Sequence, residues 1–177
     1  RNVCNKQMEW KRKGLGVMPV SINLSRASLY FESVVKQYHS IASEIGVDTE
    51  LVPIEITESA AIDNENIKAL ADRFHSKGFS LMVDDFGAGY SSLATLNMKC
   101  FDTLKIDKSL IDYIGDFSGE KLLEHTIALA KDLGLNVTAE GVETEEQVDF
   151  LRKINCDSIQ GYYYSKPLPE QEFKKLL

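Results

Sequence analysis

A chain of 177 residues, 44% hydrophobic and 27% charged, has the composition of a soluble globular domain with a sizeable core. Its 27 acidic residues outnumber 20 basic ones for a net charge of −7, and no basic cluster offers a groove to a DNA or RNA polymer. No apolar run approaches the ~18 residues needed to cross a bilayer. Three scattered cysteines (Cys4, Cys100, Cys156) favour neither a disulfide framework nor a zinc site, so the chain is expected in a reducing cytoplasm.

The chain opens on a helical pattern, Val3, Cys4, Gln7, Met8 and Trp10, which Gly14 and Gly16 break. Short apolar runs then alternate with longer helical ones. Strands are predicted over 20–24, 52–56, 80–83, 103–106, 137–139 and 158–162. One helix carries Phe31, Val34, Val35, Tyr38, Ile41 and Ile45 and stops at Gly46. A second carries Ile67, Leu70, Ala71 and Phe74 and stops at Gly78. A third carries Leu122, Leu123, Ile127, Ala130 and Leu133 and stops at Gly134. Thr144-Glu145-Glu146-Gln147 reads as a capping box opening a fourth helix through Val148 and Leu151. A short turn over 91–96 and a terminal helix over 170–177 complete the list, with no internal repeat beyond the alternation.

Strand–helix alternation means parallel strands, in an open doubly wound sheet or in a closed barrel. The strand ends separate the two. They carry Asn23, Glu55 with Glu58, Asp84 with Asp85, Lys105 with Asp107, Glu140 with Glu143, and Gln160. An open sheet needs polar ends only near one switch point, whereas all six are polar here, as in a TIM-type barrel whose strand ends converge on one mouth. The strand-to-strand interval is about 27 residues, so eight units need roughly 220. Residues 1–177 are thus expected to form a single TIM-type (β/α) barrel domain with about six of eight units, truncated at its N-terminus.

Two carboxylates side by side at a strand end can bridge a pair of divalent cations. Asp84 and Asp85 qualify if the strand stops there and Phe86-Gly87-Ala88-Gly89 turns away, since neighbours on a regular strand face opposite ways. Across the mouth, Glu55, Asp84, Asp85, Glu140 and Glu143 face Lys105 alone, an imbalance of about −4 that two divalent ions would neutralise. Hard oxygen donors favour Mg²⁺ or Mn²⁺ over zinc. His39, His75 and His125 fall within helices, away from the strand ends, and the run Tyr162-Tyr163-Tyr164 reads as packed alternation.

In order, the motifs are Ser21-Ile22-Asn23-Leu24-Ser25, Glu55-Ile56-Thr57-Glu58, Asp84-Asp85-Phe86-Gly87-Ala88-Gly89-Tyr90-Ser91-Ser92-Leu93, Lys105-Ile106-Asp107, Ala139-Glu140-Gly141-Val142-Glu143-Thr144 and Gln160-Gly161-Tyr162. The chain so marked resembles the bacterial EAL domain, a barrel family of cyclic di-GMP phosphodiesterases. The resemblance implies two ions, Mg²⁺ or Mn²⁺, and hydrolysis of cyclic di-GMP to linear pGpG. It implies Asn23, Glu55, Asp84, Asp85 and Glu140 as metal ligands, with Lys105, Glu140 and Glu143 as catalytic residues. Gln160 would support the metal and water network, and Glu58 would hold the loop 84–92 that links metal binding to dimerisation. A homodimer and a bacterial cytoplasmic location follow from the same resemblance. Two departures stand out. Ala88 replaces a frequent Thr, and the Glu-Ala-Leu motif, whose Glu is a ligand, is found nowhere in the 177 residues. The alternative to catalysis is a module that only binds cyclic di-GMP or only dimerises.

Overall fold

The computed structural model describes residues 1–62, 66–89, 95 and 99–177. Six parallel strands run in the order β1 (Ile22–Asn23), β2 (Ile54–Thr57), β3 (Leu81–Phe86), β4 (Thr103–Ile106), β5 (Asn136–Ala139) and β6 (Ser158–Ile159). Among the described residues the order never reverses, which leaves no switch point of the doubly wound kind, and the right-handed crossover that parallel strands nearly always use would put the connecting helices on one face. This is the arrangement of a TIM-type barrel. Among the described residues β1 and β6 each have a single strand neighbour, which leaves the sheet unclosed.

The register explains which side is which. Asn23 lies beside Glu55, Glu55 beside Met82 and Met82 beside Thr103; Lys105 lies beside Thr138 and Thr138 beside Ser158. Side chains two apart on a strand share a face. One face of the sheet therefore carries Asn23, Glu55, Asp84 and Lys105. The other carries Ile22, Ile54, Ile56, Leu81, Val83, Leu104, Ile106, Val137 and Ala139. Of these apolar residues, all but Ile22 are almost fully buried, each contributing about 1.5–3 kcal/mol for its large side chains. The hydrogen-bonded ladder runs past the strands through the Glu140 N–H to Ile106 and the Gln160 N–H to Ala139, which puts Glu140 and Gln160 on the polar face as well.

The helices are α1 (Asn2–Arg12), α2 (Val34–Ile45), α3 (Glu58–Ile62), α4 (Ile67–His75), α5 (Lys108–Ile111), α6 (Phe117–Asp132), α7 (Glu145–Lys153) and α8 (Glu170–Phe173), with further 3-10 turns at Arg26–Tyr30, Thr49–Leu51 and Lys174–Leu176. Gly46 ends α2 in a left-handed conformation (φ 81°), as its position predicts. The capping box of α7 forms through Thr144 and Gln147. Phe31, expected on the α2 stripe, instead closes the preceding 3-10 turn and is exposed, so α2 starts three residues later. β6 is also shorter than expected. The chain leaves it in turns that expose Tyr162, Tyr163 and Tyr164, so these rings are not the packed alternation expected. The turn expected over 91–96 lies, apart from Thr95, outside the described residues.

Two devices fasten the N-terminal ends of the strands. Asp102, just before β4, accepts the Leu81 N–H at 2.7 Å and lies 2.9 Å from His75 Nε2 at the end of α4. Asp157, just before β6, accepts the Val137 N–H at 2.9 Å and the Lys131 ammonium at 2.8 Å from the last turn of α6. On the outside, α1 meets α8 and the 3-10 turn after it through Trp10 and Phe173 (5.6 Å between centroids) and through the Lys6–Glu170 and Lys174–Glu9 pairs.

A carboxylate cage around Lys105 as the candidate active site

Lys105 is buried, 6% exposed, at the C-terminal end of β4. Three carboxylates lie within ion-pair distance of its ammonium, and one of them, Asp84, accepts a hydrogen bond from it. Glu55 from β2 lies at 2.7 Å, Asp84 from β3 at 2.9 Å and Glu140, just past β5, at 2.9 Å. Burial alone would lower the lysine's pKa, but the bonds to Glu55, Glu140 and Asp84 outweigh it and hold the ammonium more firmly protonated than an ordinary lysine. Glu140 is pushed up from its ordinary 4.5 by burial, against the pull of Lys105 and with some help from Asp84.

β3 solves the problem of the adjacent aspartates differently from the expected strand end. The strand continues through Phe86, with Val83 opposite Leu104 and Phe86 opposite Ile106, so Asp84 and Asp85 together oppose Lys105. This is a β-bulge, and Asp85 takes the left-handed conformation it needs (φ 60°), which Asp tolerates better than most residues. The extra residue cancels the alternation. Asp85 is exposed, and its carboxyl is raised by desolvation and by the charges of Asp84 and Asp107. Its own N–H is held by Asp84 Oδ1 at 3.0 Å.

The other predicted site residues stand around this cage. Asn23 is exposed on β1, in register with Glu55. Glu58 is buried at the start of α3 and accepts the hydroxyl of buried Thr95 at 3.1 Å. The motif residues Tyr90, Ser91, Ser92 and Leu93 lie outside the described residues. Glu143 is exposed and pairs with Lys108 of α5 at 3.3 Å, not with Lys105. Gln160 is exposed at the end of β6. Its carbonyl accepts the Val142 N–H at 3.1 Å, and the Tyr163 N–H returns to the Val142 carbonyl at 3.0 Å. A Cβ on Gly161 would strike the Val142 backbone, so this clasp between the β5 and β6 loops depends on glycine.

Sequence reasoning assigned no site role to Asp107 and Lys108, which organise the rim. Asp107 caps α5 by accepting the Ser109 N–H at 2.9 Å, while Ser109 Oγ donates to the Gly87 carbonyl at 3.1 Å. Lys108 reaches Asp112 as well as Glu143. The clue was present, since an Asp directly after a strand and ahead of a Ser two residues on is an N-cap pattern.

All oxygen donors in the cage are hard, and His39, His75 and His125 sit on α2, α4 and α6. The chemistry of this donor set suits magnesium-like ions rather than zinc. Among the described residues no three His, Cys, Asp or Glu side chains converge as a metal centre, because the three carboxylates converge on the ammonium.

An unreversed parallel sheet with an acidic, lysine-centred mouth at its strand ends defines a TIM-type barrel domain in architecture. The chain belongs to the EAL domain family, whose model matches residues 1–167. The cyclic di-GMP phosphodiesterase NbdA of Pseudomonas aeruginosa is 35% identical over 100% of this chain and 23% of NbdA. The EAL domain of Mycobacterium smegmatis DcpA superposes with a TM-score of 0.92 at 34% identity, over 99% of this chain and 80% of that one. BlrP1 of Klebsiella pneumoniae, in its manganese and cyclic di-GMP complex, superposes with a TM-score of 0.82 at 29% identity, over 93% of this chain and 43% of its own; the same protein is also known as a calcium and cyclic di-GMP complex. The chain spans between about a fifth and a third of the length of the curated relatives it matches. No described helix is long and apolar enough to cross a membrane.

Proposed function

We propose that this chain forms the greater part of a site that hydrolyses cyclic di-GMP to linear pGpG. The observation that carries the proposal is the cage itself: Glu55 and Asp84 from two strands and Glu140 just past a third meet on one buried ammonium, with the Asp85 N–H held by Asp84. Buried carboxylates at this density cost stability and are retained where they do chemistry. Asn23, Glu55, Asp84, Asp85 and Glu140 would hold two Mg²⁺ or Mn²⁺ ions, which when bound make a water acidic enough to attack and offset charge on the phosphate. In the reaction a water oxygen bonds to phosphorus, the bond from phosphorus to the ribose 3′ oxygen breaks, and the proton ends on that oxygen. Glu140, with its raised pKa, would hold the water's proton, and Lys105 would hold its charge against the phosphoryl oxygens. Glu143, Gln160 and Glu58 would support this set from the rim.

The test is to incubate the chain, beside a version extended upstream, with cyclic di-GMP and Mn²⁺ and to assay pGpG. Turnover by the extended version at least supports the enzymatic reading. Binding without turnover by both would replace it with a receptor.

A further inference from the structure

The Lys105 ammonium is paired with three carboxylates at 2.7–2.9 Å, and the three belong to three separate strands or their ends. A lysine on its four-carbon stem is a mobile point charge, able to enter or leave such a cage without moving the backbone. Glu55, Asp84 and Lys105 are all buried, so the mutual repulsion of the acids would be weakly screened if the ammonium were elsewhere. We infer that Lys105 is a built-in counter-ion that keeps the mouth assembled without divalent ions and competes with them for Glu55, Asp84 and Glu140. The inference rests on the proposed reading of those three residues as metal ligands and adds to it a second duty for the lysine. Oxygens now bonded to the ammonium can serve an incoming cation only as the ammonium gives them up. The ion affinity of the wild-type chain is then a difference between two cations' attractions, and the fold does not depend on the ion being present.

The experiment compares the full chain with its Lys105→Gln variant, using Mn²⁺ alone as the probe. Titration calorimetry reads affinity, and thermal unfolding is followed in EDTA and in Mn²⁺. The expected result is that Lys105→Gln binds Mn²⁺ about tenfold more tightly or better. It should also melt well below wild type in EDTA and recover most of that loss in Mn²⁺, so its ion-induced rise in Tm exceeds that of wild type. Equal or weaker Mn²⁺ binding by the variant, with a melting loss that Mn²⁺ does not repair, overturns the inference while leaving the metal site standing. If neither protein binds Mn²⁺, the metal reading falls and the inference with it. Should Lys105→Gln fail to fold in either buffer, the double variant Lys105→Gln/Glu140→Gln decides: recovery of folding supports the counter-ion role, and no recovery assigns the loss to packing and overturns it.

Discussion

The two ends of the strands are both acidic, yet they use their carboxylates in opposite ways. At the N-terminal ends, Asp102 and Asp157 stand near solvent, with 43% and 33% of their side chains exposed, and each serves one backbone N–H and one helix-borne cationic or imidazole partner. At the C-terminal ends, Glu55 and Asp84 are 8% and 12% exposed and share a single ammonium with Glu140. A charge matched one to one at the surface is a fastening. Charges crowded out of water around one cation hold reactivity at the expense of stability. The sheet thus separates the carboxylates that fasten it from those proposed to do chemistry, by about the length of a strand.

That separation can be broken by substitution at either end, and the effects should differ in kind. The largest is at the mouth: Asp84→Asn should lower pGpG formation by about a hundredfold or more and weaken Mn²⁺ binding, with thermal unfolding in EDTA no worse than wild type. Unchanged rates would remove Asp84 from the site. Gly161→Ala should cost about 1–3 kcal/mol, because its Cβ meets the Val142 backbone, and should also depress turnover by shifting the loop that follows Glu140. Urea unfolding and the pGpG assay together check this. Asp102→Asn should cost about 1 kcal/mol in urea unfolding and leave turnover unchanged; a loss of activity there would erase the distinction between the ends. The smallest effect concerns pH. Burial pushes the Asp157 carboxyl up, but the Lys131 ammonium and the Val137 N–H outweigh it and hold it below its ordinary 3.8. A carboxyl lowered by folding adds stability above its unfolded pKa and gives it up as pH falls through the folded one. Asp157→Asn should therefore shrink the stability advantage of neutral pH and flatten its decline below about pH 4, read as urea midpoints across that range.

Much of this was legible in the sequence for one reason: in a parallel sheet the apolar and polar positions are sorted by alternation, and Ile54-Glu55-Ile56 or Leu104-Lys105-Ile106 shows the sorting in three residues. The position of Asp85 was not legible in the same way. Alternation sends Asp85 to the wrong face unless the strand ends, and only the paired register reveals that a bulge does the work instead. Glu143 illustrates a second limit. Its distance from Glu140 along the chain says nothing about Lys108, which arrives from α5 and takes it. The strand-end fastenings escaped for a third reason. Asp102 reaches back 21 residues to Leu81 and 27 to His75, while Asp157 reaches back 20 to Val137 and 26 to Lys131. The same device recurs at nearly the same spacing, but its helix-borne partner is His in one copy and Lys in the other, so residue identity hides a repeat that geometry exposes.

The bulge on β3 also sets which mutations the mouth can accept. A backbone at φ 60° is comfortable for Gly, Asn and Asp and strained for branched side chains. Asn is one nucleotide from Asp in the genetic code. At Asp85, then, the easiest inherited change keeps the chain's path and deletes a negative charge, which on the proposed function opens a short evolutionary route from a barrel that would cleave its ligand to one that would merely retain it.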